Sequence, residues 1–266
     1  VVVGDATHIV KEGRRPSIMP FDMGDITRTD DGILRYTNLE RSLIDMLRRR
    51  VEATPDRECI VLLGGERLTY QEVWDRSARV AGGLRAAGVE PGDRVANRHG
   101  NTIEWCLGFW GTLMAGAVVV PVNVRFSESE VDYVVTDSGS KVVLLPDEPL
   151  PDGEPFVTTD TDQKTLAAIF YTSGTTGFPK GAMTTHENFL SNSETCRRIM
   201  RFPDDVHLRN LVSVPLFHVT GCNSQLIVTT QMNGTTVIMP AFEVQQFLRA
   251  IVDEEINILT SVPAIF

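Results

Sequence analysis

Along most of this chain, short apolar runs rich in valine and isoleucine take turns with longer amphipathic segments, and that alternation restricts the fold more than any other feature. The middle of the chain shows it best. "DRVANR" reads as a strand, "NTIEWCLGFWGTLMAG" as a helix, "AVVVPV" as a strand, "SESEVDYVVTDSG" as a helix and "KVVLL" as a strand. This order calls for parallel strands, because each helical crossover returns the chain to the end of the sheet it left. The punctuation agrees. Ser127 followed three residues later by Glu130 is a capping-box start, and Gly88 is the stop of the earlier helix "YQEVWDRSARVAGGLRAAGV", which turns Val73, Val80 and Leu84 inward. The expected fold class is α/β, with doubly wound, mostly parallel sheets flanked by helices in two subdomains.

Residues 1–37 carry no sustained periodicity and read as an N-terminal arm. Residues 38–145 read as a first α/β subdomain. It opens with "NLERSLIDMLRRRVEATPD", which puts Leu39, Leu43, Ile44 and Leu47 on one helical face, and "ECIVLLGGERLTY", a hairpin about Gly64 and Gly65. Residues 146–164, "PDEPLPDGEPFVTTDTDQK", form an acidic, proline-rich linker. Residues 165–266 read as a second α/β subdomain. Strands "LAAIFY" and "AMTTH" lead to helix "HENFLSNSETCRRIM", capped by His186, then strand "LVSV", helix "GCNSQLIVTTQ", strand "TTVIM", helix "EVQQFLRAIVDEE" and strand "INILT". In the closing "SVPAIF", Pro263 reads as the first residue of a helix barely begun, so a large domain incomplete at its C-terminus is expected.

Composition narrows the partners. The 266 residues are 42% hydrophobic and carry a net charge of −10. That balance argues against a basic nucleic-acid face, and an anionic ligand needs a local site built against the overall field. Cys59, Cys106, Cys196 and Cys222 form no CxxC pair and read as reduced, packed thiols of a cytoplasmic protein. His8, His99, His186, His207 and His218 show no ligand spacing, so no structural metal is expected. The start "VVVGDATHIVKEGRR" meets charge too early for a signal peptide. The uncharged run from Trp105 to Val124 has the length of a membrane span, but Gly116 and Pro121 break it into a buried helix and a buried strand. Arg48, Arg49 and Arg50 read as a solvated face near a helix end, where cations are favourable.

The strongest local signal is "YTSGTTGFPKGAM", Tyr171 to Met183, rich in glycine and hydroxyl residues and free of carboxylates. Gly174 and Gly177 let the backbone approach a ligand, and successive N–H groups form a nest for phosphate oxygens. Thr172, Ser173, Thr175 and Thr176 add hydroxyl donors and Lys180 a charge. This is not the Walker A loop, which needs Gly-Lys-Ser/Thr opening a helix. Here Pro179 precedes the lysine, Gly181 follows it, and the next residues favour a strand.

These residues resemble the signature loop of the acyl-adenylate-forming superfamily, which includes acyl-CoA synthetases, aryl-CoA ligases, luciferases and the adenylation domains of peptide synthetases. "YTSGTTGFPKG" matches that signature throughout. "LTYQEV" (68–73) and "LMAGAVVVPVN" (113–123) resemble two core motifs, and "PLFHVTG" (215–221) the substrate-side motif of fatty-acyl and aryl-CoA ligases. The resemblance spans about residues 38–266.

The resemblance implies activation of a carboxylic acid, fatty or aryl, by ATP and Mg²⁺ to an acyl-adenylate, followed by transfer to coenzyme A. By residue, it implies Thr172 to Lys180 on the phosphates and Thr172 near the metal. Lys180 and His218 are then the catalytic candidates, His218 as a positioning group as much as a packed core residue. The helix bearing Gly221, Cys222 and Gln225 would line the acyl pocket, although core packing explains Cys222 as well. The family's Tyr-Gly-x-Thr-Glu and Thr-Gly-Asp motifs, its hinge and its C-terminal lysine all fall beyond Phe266. The rest of the same protein is therefore an expected partner, and the chain alone is expected to be inactive. Two alternatives stay open: a ligase that loads a carrier protein, and a non-catalytic truncated nucleotide-binding domain. A homodimer and a peripheral contact with a membrane are left open too.

Overall fold

The structure is a computed structural model and describes residues 20–172, 178–203 and 205–260. In chain order the elements are β1 (Ile26–Arg28), β2 (Leu34–Tyr36), α1 (Leu43–Ala53), β3 (Glu58–Leu62), β4 (Arg67–Thr69), α2 (Tyr70–Ala86), β5 (Arg94–Asn97), α3 (Ile103–Met114), β6 (Val118–Pro121), α4 (Glu128–Ser138) and β7 (Ser140–Leu144). There follow β8 (Leu166–Thr172), β9 (Lys180–Thr185), α5 (His186–Met200), β10 (Arg209–Val212), a π-helix (Thr220–Ile227), α6 (Val228–Gln231), β11 (Thr235–Ile238) and α7 (Val244–Asp253).

Two larger sheets carry the architecture, ordered β10-β11-β3-β4 and β7-β5-β6-β8-β9. Each is a run of parallel strands ended by one antiparallel neighbour, β4 on β3 and β9 on β8. The mostly parallel, doubly wound expectation is met.

Side-chain alternation along the strands shows how the layers stack. Ile60, Leu68, Val212 and Ile238 of one sheet and Val95, Val119, Ala168 and Phe170 of the other belong to a single central core with residues of α1, α2, α3 and α5. Their neighbours in sequence face outward. Val61, Leu211 and Val237 pack under Phe247 and Ala250 of α7, while Ala96, Val118 and Val120 pack under Val131 and Val134 of α4. The order is thus α7, sheet, central helices, sheet, α4. Helix α3 lies inside this sandwich with every residue but Glu104 buried, and Trp105 stacks on Phe109 at 5.4 Å. That burial accounts for the apolar run that mimics a span. Among the described residues no helix is long and apolar enough to cross a membrane.

The sheets depart from the sequential division into 38–145 and 165–266. Each takes strands from both sides of residues 146–164. The β3–β4 hairpin finds its parallel neighbour in β11, through Val61↔Val237, and β6 pairs with β8. The stretch between is not a free tether. Gly153 and Phe156 donate their N–H groups to Arg79 O and Ala78 O on α2, at 3.1 and 2.9 Å, and Thr158 donates to Met114 O at 2.8 Å. Gly82 and Gly83 make the approach possible, since a Cβ on Gly82 would sit 1.8 Å from Glu154 O. The acidic segment is a strap laid across α2.

Three local expectations change. The arm contains the β1–β2 hairpin, held to α5 by Arg198, which donates to Asp22 O at 3.0 Å and stands over the Tyr36 ring. "INILT" gives one bridge, Asn210↔Ile258, rather than a strand. Its second residue diverts its side chain to the backbone, with Asn257 Oδ1 accepting from Arg209 N and Nδ2 donating to His207 O. His186 does not cap its own helix, because Thr185 does so in a capping box with Asn188. The His186 Nδ1 instead accepts from the Leu43 N–H at 3.1 Å, satisfying the first amide of α1.

Candidate functional site

Strand β8 delivers the chain to Thr172, and β9 takes it back from Lys180. The two residues are register partners across the hairpin, and both are exposed. Ser173, Gly174, Thr175, Thr176 and Gly177, expected as phosphate ligands, lie outside the described residues.

The stem of this hairpin is braced from α4. The Tyr171 hydroxyl donates to Asp137 Oδ2 at 2.6 Å, and burial together with that carboxylate pushes the phenol well above its ordinary range. One turn earlier, the Tyr133 ring stacks on Phe178 at 5.1 Å and its hydroxyl donates to Pro179 O at 3.2 Å. Tyr133 and Asp137 stand four residues apart, hence on one helix face. The sequence reading passed over both, although that spacing was available to it.

His218 reaches the same region from the other sheet. Beyond β10 the backbone runs through Val214, Pro215 and Leu216, and one side chain fixes its course. Asn101 Nδ2 donates to Val214 O at 3.1 Å and Met239 O at 3.2 Å, while its Oδ1 accepts from Leu216 N at 2.8 Å. Asn101 thereby ties together the ends of two adjacent parallel strands. No local signal marks it, because its partners are remote in sequence. A π-helix begins two residues after His218, with Cys222 N–H donating to His218 O at 2.9 Å. Such helices recur at functional sites because they re-aim side chains.

Thr172 and His218 line one cavity of about 600 Å³, together with Asn123, Tyr133, Phe178 and Phe217. Lys180, Gly221, Cys222 and Gln225 are not among its lining residues. Gly221 is buried where a Cβ would come within 2.3 Å of Pro215 O, so it permits the tight entry into the π-helix. Cys222 belongs to the central core, and burial raises its thiol well above the usual value, which leaves it inert. Gln225 is buried and donates to Leu211 O at 3.0 Å and Thr260 O at 2.7 Å. All four cysteines are free. Among the described residues no three His, Cys, Asp or Glu side chains gather as a metal site.

Thr172, the last residue of β8, thus shares a cavity of small-molecule size with His218, which stands just ahead of the π-helix. The chain belongs to the AMP-binding enzyme family, whose pattern matches residues 47–159 and 146–266. It is 33% identical over 256 residues to the long-chain-fatty-acid–CoA ligase FadD13 of Mycobacterium tuberculosis, covering 83% of this chain and 49% of that one. It is 34% identical over 241 residues to a feruloyl-CoA synthase of an Amycolatopsis species, covering 82% and 48%. Among solved structures, ATP-bound MatB from Rhodopseudomonas palustris superposes with a TM-score of 0.76 at 29% identity, over 85% of this chain and 50% of that one. The chain spans about half the length of the curated relatives it matches.

Proposed function

We propose that the whole protein is an ATP-dependent acid–CoA ligase for a fatty or aryl acid. The observation that carries this reading is the cavity that His218 shares with Thr172, the residue that leads into the hydroxyl- and glycine-rich segment of the sequence.

The chemistry asks little of acid–base groups. A carboxylate is already ionised near pH 7 and attacks the α-phosphorus of ATP directly. A carboxylate oxygen–phosphorus bond forms, the bond from that phosphorus to the bridging oxygen breaks, and pyrophosphate leaves. A thiolate then attacks the acyl carbon and AMP departs. What the protein supplies is placement, to which orientation of two reactants contributes about 7–11 kcal/mol. In this reading Lys180 and the N–H and hydroxyl groups of residues 172–177 hold the β- and γ-phosphates, while His218 orients the acid. Tyr133, Asp137 and Tyr171 keep the hairpin stem from shifting.

Mg²⁺ suits the donors on hand. It binds phosphate oxygens and water with only one or two protein oxygens, and the Thr172 hydroxyl is one such hard donor at the cavity wall. When bound, it offsets phosphate charge. Gly221, Cys222 and Gln225 are proposed as supports behind the pocket.

The test is acid-dependent ATP–pyrophosphate exchange by the whole protein over a panel of fatty and aryl acids, followed by acyl transfer to coenzyme A. Exchange with at least one acid is expected, with none above background from the 266-residue chain alone. Absence of exchange with every acid refutes the reading. Transfer to a carrier-protein thiol but not to coenzyme A replaces the acceptor.

A further inference from the structure

A second cavity of about 600 Å³ lies at the opposite end of the four-stranded sheet from His218, beside Leu208 and Asn233, where β10 and β11 begin. Its wall carries Arg50 from the last turn of α1, Arg197 and Arg198 from the last turn of α5, and Arg201, which caps α5. Four guanidinium groups around one cavity make a local positive site in a chain of net charge −10.

Acidic side chains stand beside three of them. Glu194 serves both Arg197 and Arg198 at 2.7 Å, and Asp22 stands 4.0 Å from Arg198. Arg50 is held only loosely. Glu40 lies 3.6 Å from it and Gln231 Oε1 3.4 Å away, both beyond a good hydrogen bond, and its buried Nε has no partner among the described residues. Burial therefore pushes the Arg50 guanidinium below its ordinary value, and the charges of Arg49 and Arg197 act the same way despite the pull of Glu40. Arg201 adds a backbone cost. Its φ of +47° is left-handed, a region that side chains other than glycine enter at a penalty. Phe202, Val206, Leu208 and Met232 supply the apolar part of the lining.

We propose that this cavity binds a phosphate-bearing organic molecule, with Arg50, Arg197, Arg198 and Arg201 around the phosphate and Phe202 and Met232 against its apolar body. The planar forks of arginine match phosphate oxygens, and a doubly charged anion offsets the mutual repulsion of the four cations. A bare phosphate ion leaves most of the volume empty, and the cavity falls in the range of small-molecule sites. The triple arginine of α1 is then not simply a solvated face, because its third member turns inward to this site. The inference stands apart from the ligase reading, since Thr172 and Lys180 belong to the other sheet.

Isothermal titration with phenyl phosphate tests it, with phenol and inorganic phosphate as the separate halves of the probe. Phenyl phosphate is expected to bind more tightly than inorganic phosphate, and phenol not at all. Arg50→Gln and Arg201→Gln should each weaken binding about tenfold, as loss of a charge-assisted bond implies. Arg50→Lys should recover part of it, and the Arg50-dependent binding should persist in Lys180→Ala. Thermal melting of each variant separates lost binding from lost folding. Flotation with phosphatidylglycerol vesicles, compared with phosphatidylcholine, distinguishes the sources. Arg50-dependent flotation without phenyl phosphate binding assigns the same phosphate chemistry to a lipid headgroup. Binding that survives both glutamine variants, binding that vanishes in Lys180→Ala, or no binding of either probe overturns the proposal.

Discussion

The bond between His186 and α1 makes stability depend on pH in a way that one substitution isolates. Nδ1 accepts the Leu43 amide only while it lacks a proton, and the ring is 2% exposed. Burial lowers its pKa from 6.5 to about 4, against smaller opposing pulls from Asp162 and Asp45. As pH falls from neutrality, the unfolded chain takes up this proton near 6.5 while the folded chain refuses it until about 4. The contribution is therefore present above the unfolded pKa and lost progressively through that window. Linkage puts the loss at about 2 kcal/mol between pH 7 and pH 5, and roughly 3 kcal/mol once pH is below both values. In His186→Asn, the Oδ1 occupies nearly the place of Nδ1 and accepts the same amide, but does not titrate. Urea unfolding followed by far-UV circular dichroism at pH 7, 6 and 5 gives the free energies, with unchanged m-values as the check that only stability moved. The variant should be somewhat less stable than the parent at pH 7, through lost packing, and should fall by about 2 kcal/mol less on going to pH 5. Parallel decline of the two proteins refutes the reasoning, whatever their offset at neutrality.

Other substitutions probe the site and the scaffold. Asn101→Ala strips the partners from Leu216 N–H and two carbonyls, and should destabilise the protein by about 2 kcal/mol in urea melts. In the whole enzyme it should also lower kcat for acid-dependent exchange, because the backbone leading to His218 loses its tie. Gly82→Ala forces a methyl against Glu154 O and should cost about 3 kcal/mol, read by urea melts alongside faster proteolysis within residues 146–164. Tyr171→Phe removes the bond to Asp137 while keeping the ring. It should raise KM for ATP in the exchange assay several-fold with little change in melting temperature, and an unchanged KM disproves the brace.

How much of this was legible beforehand depended on how far apart the cooperating residues lie. The capping box of Ser127 and Glu130 is found as read, because both members fall within one helical turn. The β3–β4 hairpin about Gly64 is found for the same reason, with Gly64 at a φ of +72°. The β1–β2 hairpin escaped notice because it presses no apolar face on a core, and Leu34 is 49% exposed. Sheet membership was not legible at all. Nothing near Val61 announces that its neighbour is Val237, since any buried apolar strand offers the same edge. His186 and Asn101 share that character. Their residue types promised hydrogen bonding, while their partners, Leu43 and Val214, are brought by tertiary folding alone. At the site the loop was conspicuous by composition, and its brace on α4 was not, because tyrosines on an amphipathic helix look like packing.

The exchange of strands between the two sheets also sets an order of events during synthesis. The hairpin of β3 and β4 is complete by Thr69, but β11, its parallel neighbour, ends at Ile238. At about 5–20 residues per second, a ribosome leaves one edge of β3 open for on the order of ten to thirty seconds. During that interval β3 is an apolar strand with an unpaired edge, the kind of surface on which nascent chains associate wrongly. The five-stranded sheet, whose strands run from β5 to β9 in a nearer stretch of chain, is free to assemble first. The earliest strands of the central sandwich are thus among the last to find their partners, and a chaperone that shields residues 58–69 would act at the point of greatest exposure.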